Sequence, residues 1–215
     1  MDIFGNPINH AIQRAIAQGV PENTIVLLLL LPIVAFVIAF SRNVIGIRGF
    51  GIFLPAALSI AFVATGPIVG IGLFLLIVVI STLVRMILRR LNIKLQYLPR
   101  MALILWAAVV GVLLALLLVP MDVSIFAVLI LILLTEDFIR VQLGKSVKTA
   151  LNLTLETLLL SLISYFFLTL RPLQAYALTN PEITLISVGI LDFLLAKYSG
   201  LRLMEILRFR KLIRS

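Results

Sequence analysis

The sequence predicts an all-α polytopic membrane protein, a bundle of seven transmembrane helices with its N-terminus outside and its C-terminus in the cytoplasm. Of its 215 residues, 62% are hydrophobic and 13% are charged, and the mean hydropathy is +1.23. A soluble domain of this size cannot cover so much apolar surface with so few charges. Sixteen of the eighteen Lys and Arg residues also fall into four segments that alternate with apolar stretches.

The chain begins with a short amphipathic segment, residues 1–21, which we expect outside the cytoplasm. A helix is predicted over 7–18, because Pro7 suits a first helical turn and Gly19 with Pro21 ends the pattern. Its apolar face favours a helix on the membrane surface or across the mouth of the bundle, and the alternative is a frayed tail. That face consists of Ile8, Ala11, Ile12, Ala15 and Ile16.

Seven apolar stretches follow, and most approach the length of about 20 residues that crosses a hydrocarbon core about 30 Å thick. We expect them to form one transmembrane domain over 22–200, followed by a basic tail, 201–215, that continues helically in the cytoplasm. The stretches cover residues 23–41, 50–65, 67–88, 100–119, 122–140, 148–170 and 183–198.

The second stretch is the shortest and follows a glycine-rich segment around Arg48. Either Arg48 extends from a longer helix to the membrane surface, or the glycines let the chain lie along the interface before it turns in. Small residues also predict close helix packing, at Gly66 and Gly70 and again at Gly111 and Ala115.

The basic segments set the orientation, because the positive-inside rule places them in the cytoplasm. The net charge of +9 then reflects topology and attraction to anionic cytoplasmic lipids, and no nucleic acid partner is predicted. The four segments contain Arg42 and Arg48; Arg85, Arg89, Arg90, Lys94 and Arg100; Arg140, Lys145 and Lys148; and Lys197, Arg202, Arg208, Arg210, Lys211 and Arg214.

Two carboxylates are predicted near the middle of the membrane, Glu156 in the sixth stretch and Asp192 in the seventh. An unpaired charge at that depth costs several kcal/mol, so a neutral, protonated carboxyl or a shared proton is expected. Asn152 lies one helical turn before Glu156 and adds to an intramembrane polar site. The functional interpretation is a proton relay or a cation site, and the structural one is a pair of neutral acids that hydrogen-bond across helices.

A second charged group lies at the cytoplasmic edge, where Glu136 and Asp137 precede Arg140. Their spacing predicts a local ion pair on one helix face. Arg48 and Arg202 are predicted at other inner helix ends, where they can also reach Glu136 and Asp137. A network of these charges would either hold the bundle together or form a docking site for a soluble partner.

Neither cofactor nor metal chemistry is predicted. The chain has no cysteine and a single histidine, His10, which excludes disulfides, thiolate chemistry and Cys-ligated metals. One histidine cannot form a paired-His metal motif, and we find no Ser-His-Asp set. We therefore expect a protein that is not an enzyme.

Three segments resemble a known family: Gly46-Ile47-Arg48-Gly49-Phe50-Gly51-Ile52-Phe53-Leu54-Pro55, Leu134-Thr135-Glu136-Asp137-Phe138, and the ending from Tyr198 to Phe209. The chain resembles the seven-helix domain of bacterial inner-membrane proteins that usually carry an inactive transglutaminase-like domain ahead of it. The resemblance implies an outside N-terminus and partnership with ATP-grasp ligase-like proteins and retropepsin-like zinc proteases. The matching polar residues are Arg48, Glu136, Tyr198, Arg202, Glu205 and Arg208. Only the amphipathic segment stands here where the family has its transglutaminase-like domain.

The leading hypothesis is a non-enzymatic scaffold or signal-transmitting module whose cytoplasmic face recruits or regulates a soluble partner. It follows from the clustering of the family-like polar residues at the inner end of the predicted bundle. The alternative is a proton-coupled transporter or permease that uses Glu156 and Asp192. An intramembrane enzyme would need the two carboxylates to face each other as a catalytic dyad, and it is the least favoured of the three.

Overall fold

The structure is a computed structural model that describes residues 7–91, 96–118, 123–134, 136, 138–140, 147–200 and 202–204. These residues form α-helices and connecting segments, with no β-strand among them, which confirms the predicted all-α class. The helices are α1 (Pro7–Ala17), α2 (Glu22–Phe40), α3 (Phe53–Thr65), α4 (Pro67–Arg90), α5 (Tyr97–Leu118), α6 (Ile125–Leu133), α7 (Val147–Thr169), α8 (Arg171–Thr179) and α9 (Pro181–Ala196).

Several of these helices are long and apolar enough to cross a membrane. Among the described residues they are Glu22–Ile45, Pro67–Arg90, Tyr97–Leu118 and Thr149–Thr169, and α8 with α9 forms a further candidate, bent by 108°. Helix α3 is apolar but has only 13 residues. The chain is therefore a multi-pass membrane protein.

Helix α8 lies where the sequence predicted only a connection between the sixth and seventh stretches. It carries Arg171, Gln174 and Tyr176, so no apolar run reveals it. Asn180 separates it from α9 and directly precedes Pro181, whose ring disfavours a helical conformation at the residue before it. Helix α8 therefore ends at Thr179, and α9 starts in a new direction.

The end of α9 also corrects the sequence prediction. The helix finishes at Ala196, with Lys197 at its C-terminal end, and residues 198–200 are not helical. The basic tail is therefore not a direct extension of the last helix. Of the tail's described residues, Leu203 and Met204 are helical, and the rest of the predicted tail helix lies outside the described residues.

The chain divides into two compact units. Unit 1 contains the described residues up to Ala56 and from Ile163 onward, and unit 2 contains those from Ala57 to Leu162. In unit 1, α2 packs on α8 and α9, and α1 packs on α9. In unit 2, α4 packs on α5 and α6. The single domain predicted over 22–200 stays a prediction.

Each unit has its own buried apolar side chains. In unit 1, α2 contributes Leu30, Val34 and Ile38, each at most 1% exposed. Those of unit 2 include Phe62, Ile77, Ile104, Leu131 and Leu160. Because lipid replaces water around the spanning segments, exposed large apolar residues on the remaining faces are expected.

Two of the predicted small-residue edges do bring helices close together. A Cβ atom added at Gly70 would collide with the ring of Phe62 in α3, and one added at Gly111 would collide with Ile80 in α4. Gly66 has another role, because it precedes α4 with a φ of 80° and has open space around it. The turn between α3 and α4 therefore needs a glycine at position 66.

Candidate functional site

The site begins where α2 ends. The helix continues into a π-helical turn, Ser41–Ile45, in which the Ser41 carbonyl accepts hydrogen bonds from the Gly46 N–H at 2.9 Å and the Ile47 N–H at 3.2 Å. Gly46 closes the turn with a left-handed conformation, φ 101° and ψ 18°. Turns of this kind are frequent at functional sites, because the wider turn redirects the chain that follows.

Arg48 lies in the segment after this turn, and the segment is not helical. Residues 46–49 have no regular structure, and α3 begins only at Phe53. The hypothesis that Arg48 extends from a longer second helix is therefore wrong. The glycines break the helix, as the other hypothesis required, since Gly51 also has a positive φ of 40°.

The described part of the tail returns to this place. A Cβ atom added at Gly46 would lie 3.4 Å from the Cβ atoms of Arg202 and Met204. The missing side chain at Gly46 thus gives the tail room to lie directly on the turn. This contact brings Arg202 to the same end of α2 as Arg48, although the two are far apart in the sequence.

These residues line a cavity of about 190 Å³ that we call the arginine pocket. Its polar walls are Arg42, Asn43, Arg48 and Arg202, and its apolar walls are Ala39, Ile47 and Ile52. Guanidinium groups donate hydrogen bonds and accept none, and they carry a positive charge at any physiological pH. With three arginines and no acid among its described lining residues, the pocket suits an oxyanion.

A second charged group lies in unit 2. The Arg140 Nη2 atom donates to Glu136 Oε1 at 3.0 Å, which confirms the predicted local ion pair. Arg140 Nε also donates to the Tyr97 hydroxyl at 3.5 Å. Both charged side chains are more than half exposed, at 62% for Arg140 and 51% for Glu136, so the pair adds little to stability. Asp137 lies outside the described residues.

Glu136 also borders a cavity of its own. This cavity has a volume of about 220 Å³, and its other walls are the apolar residues Met101, Ala102, Leu105, Leu133 and Ile139. A single carboxylate at the edge of an apolar groove does not form an anion or metal site. The predicted network that joins Glu136 to Arg48 and Arg202 stays a prediction.

Residues 17–213 of the chain match a family described as seven transmembrane helices usually fused to an inactive transglutaminase. The chain belongs to this family. The match confirms the resemblance found in the sequence. It includes the last residue of α1, helices α2 to α9 and all residues of the arginine pocket. No curated protein matches the chain, and no solved structure does.

Of the residues that the family resemblance selected, the structure brings Arg48 and Arg202 together. Tyr198 is exposed and does not line the arginine pocket, but its ring packs against Gly200, where an added Cβ would collide with it. Next to it, Lys197 Nζ lies 4.6 Å from the centre of the Phe193 ring. Glu205 and Arg208 lie outside the described residues.

Sequence reasoning missed two polar residues of the pocket, Arg42 and Asn43. Arg42 counted only as one member of the first basic segment, and Asn43 carried no signal at all. Their position inside a π-helical turn is the reason, because a helix of ordinary pitch would direct them differently. A run of polar residues directly after a long apolar stretch is the one signal that marks them.

The residues predicted to form an intramembrane polar site belong to different units, Glu156 and Asn152 to unit 2 and Asp192 to unit 1. Glu156 is half-buried, nine residues after the start of α7 at Val147, and Asn152 is exposed on the same helix. Asp192 is exposed and lies four residues before the end of α9 at Ala196. At 1.5 Å per residue these positions are roughly 14 Å and 6 Å from the respective helix ends. The Glu156–Asp192 pair stays a prediction.

Several hydroxyl groups of α7 are buried. Thr154, Thr157 and Ser161 are each at most 4% exposed. Each hydroxyl donates to the carbonyl four residues earlier, at 2.7 to 2.8 Å. These three hydroxyls therefore bond to the backbone of their own helix.

Proposed function

We propose that the chain is a non-enzymatic module of the bacterial inner membrane that crosses the bilayer seven times and engages a soluble partner with its cytoplasmic face. The family description supports the seven spans and associates the domain with a transglutaminase that is inactive. The four basic segments support an outside N-terminus and a cytoplasmic C-terminus. Helix α3 and the region of α6 supply the spans beyond the long helices.

One observation carries the proposal of a partner. Arg48 and Arg202, both family-like residues, line one pocket at the end of α2. Guanidinium groups brought to one pocket make a positively charged surface, which attracts acidic groups. The partner surface that fits this pocket is acidic, and the resemblance implies ATP-grasp ligase-like and retropepsin-like proteins as partner classes.

The orientation can be tested directly, because the chain has no cysteine of its own. Gln18→Cys reports on the end of α1 and Leu91→Cys on the end of α4, and both positions are exposed. A membrane-impermeant maleimide applied to spheroplasts is expected to label Gln18→Cys at once and Leu91→Cys only after permeabilisation. The reverse order would overturn the proposed orientation.

The partner is tested with a charge reversal in the pocket. The purified chain in nanodiscs is titrated with an ATP-grasp ligase-like protein, as wild type, as Arg202→Glu and as Arg90→Glu. Arg90 ends α4, is exposed and does not line the arginine pocket, so it controls for net charge. We expect a loss of binding of tenfold or more in Arg202→Glu alone. Equal affinities of the three proteins would overturn the proposal.

A further inference from the structure

We infer that the arginine pocket holds the phosphate group of an anionic phospholipid. The inference concerns the same pocket as the proposed function, but it names a lipid as the occupant and needs no protein partner. It depends on the shape of the pocket, the chemistry of its walls and its position at the end of an apolar helix.

The size of the pocket limits what can enter it. Sites for drug-sized ligands have volumes of about 300 to 1,000 Å³. The arginine pocket has about 190 Å³, which is room for a single compact group and not for an extended substrate. A phosphate group carried on a larger molecule that stays outside satisfies this limit.

The chemistry of the walls selects a tetrahedral oxyanion. Arg42 comes from the π-helical turn and Arg202 from the tail, so their guanidinium groups reach the cavity from separate stretches of chain. The guanidinium fork matches two oxygens of a phosphate at once, and several forks can share one group. The Asn43 side-chain amide supplies a further donor.

The position of the pocket favours a lipid as the carrier of the phosphate. The span Glu22–Ile45 is apolar over its length, and the pocket begins at its C-terminal end with Ala39. Exposed apolar side chains lie beside it, at Phe40, Ile52 and Phe53. An acyl chain can lie along this surface while the headgroup enters the pocket. Basic pockets at the cytoplasmic ends of spans bind anionic headgroups in this way.

Arg42 is the residue that separates this inference from the proposed function. It lines the pocket but is not one of the residues that the family resemblance selects. Arg42→Gln keeps a polar side chain of similar length and removes the charge. Arg42→Lys keeps the charge and removes the fork, so it also shows whether a loss of binding reflects misfolding. Arg90→Gln, at the end of α4, is the matched control.

The experiment is native mass spectrometry of the full chain in detergent, titrated with phosphatidylglycerol or phosphatidylcholine. We expect the wild type and Arg90→Gln to retain phosphatidylglycerol at least tenfold better than phosphatidylcholine. Loss of one charged hydrogen bond should weaken phosphatidylglycerol binding about tenfold in Arg42→Gln, with Arg42→Lys in between. Thermal unfolding of each variant in the same detergent confirms that it is folded.

Three outcomes would overturn the inference. The first is equal retention of the two lipids by the wild type. The second is an equal loss of phosphatidylglycerol in Arg42→Gln and Arg90→Gln, which would indicate net charge alone. The third comes from an arm with inorganic phosphate: if millimolar phosphate displaces the lipid completely and binds without it, the pocket is a site for free phosphate. An Arg42→Gln variant that loses lipid but retains the protein partner supports the inference and keeps the two proposals separate.

Discussion

Replacing Gly46 tests the geometry on which the arginine pocket depends. Gly46 has a φ of 101°, a conformation that residues with a side chain rarely adopt. It also lies under the tail, so that an added Cβ would be 3.4 Å from the Cβ atoms of Arg202 and Met204. Gly46→Ala therefore introduces backbone strain and a close contact in a single substitution.

The two effects differ in size. A residue with a side chain held at a strongly unfavourable φ costs about 1 to 3 kcal/mol. A contact at 3.4 Å is at the edge of ordinary van der Waals distance, so it adds little to the free energy. We expect Gly46→Ala to lose about 1 to 3 kcal/mol of stability, nearly all from the backbone. The new contact between the added methyl group and the tail should instead increase the local mobility of residues 202–204.

Gly19→Ala separates these contributions. Gly19 has a similar φ of 95°, but nothing lies within 4 Å of an added Cβ. Equilibrium unfolding in mixed micelles with SDS measures the free energy, and hydrogen exchange measures residues 202–204. Both variants should lose stability, and only Gly46→Ala should exchange faster in the tail. If Gly46→Ala unfolds like the wild type and its tail exchanges at the same rate, the left-handed conformation of Gly46 and its contact with the tail are refuted.

Three further predictions concern packing and charge. Gly70→Ala should be about 1 to 3 kcal/mol less stable than a helical glycine-to-alanine change in open space, because its methyl group meets the buried ring of Phe62. Glu182→Gln should speed amide exchange in α1, because the carboxylate accepts a hydrogen bond from the Asn9 N–H at 2.9 Å. Glu136→Gln should leave the midpoint of SDS unfolding unchanged, since its ion pair is exposed.

Matched controls exist for the first two of these. Gly72→Ala is the open-space change, because Gly72 lies in the same helix with nothing within 4 Å of an added Cβ. Glu22→Gln removes an acid from the first turn of α2 and leaves the hydrogen bond between Asn9 and Glu182 in place. Equal stability of Gly70→Ala and Gly72→Ala would contradict the tight packing of α3 against α4. Equal rates of amide exchange in α1 for Glu182→Gln and Glu22→Gln would show that the Glu182 carboxylate does not stabilise α1.

The sequence predicted the long helices because their apolar runs are nearly uninterrupted and have clear ends. Helix α8 escaped prediction, since Arg171, Gln174 and Tyr176 interrupt any apolar pattern. The break at Asn180 could have been found from Pro181, whose effect on the preceding residue is a local rule. The length of a helix is thus readable from composition, and its direction depends on a few residues at its ends.

The candidate site was only partly predictable for a related reason. The family resemblance selected Arg48 and Arg202, but only the folded chain shows that they share a pocket with Arg42. Hydrophobic periodicity cannot reveal a π-helical turn, because such a turn departs from the regular period of an α-helix.

In unit 1, the packed helices α2 and α9 have a tertiary contact at each end. Helices α2 and α9 pack side by side, and both run from the end near α1 towards the arginine pocket. At the first end the Asn9 N–H donates to Glu182, and at the other the tail that follows α9 lies on Gly46. A displacement of α9 would therefore change both contacts.

This arrangement distinguishes the two versions of the proposed function. In a signal-transmitting module, Glu182→Gln should loosen α1 and also raise the hydrogen exchange of residues 202–204, although the substitution lies at the far end of α9. In a scaffold the effect should end at α1, and the tail should exchange as in the wild type. Coupling between sites requires an element that both sites bias, and α9 contacts α1 at one end and is followed by the tail at the other. An unchanged tail in a protein whose α1 has loosened would exclude transmission through α9 and leave the scaffold.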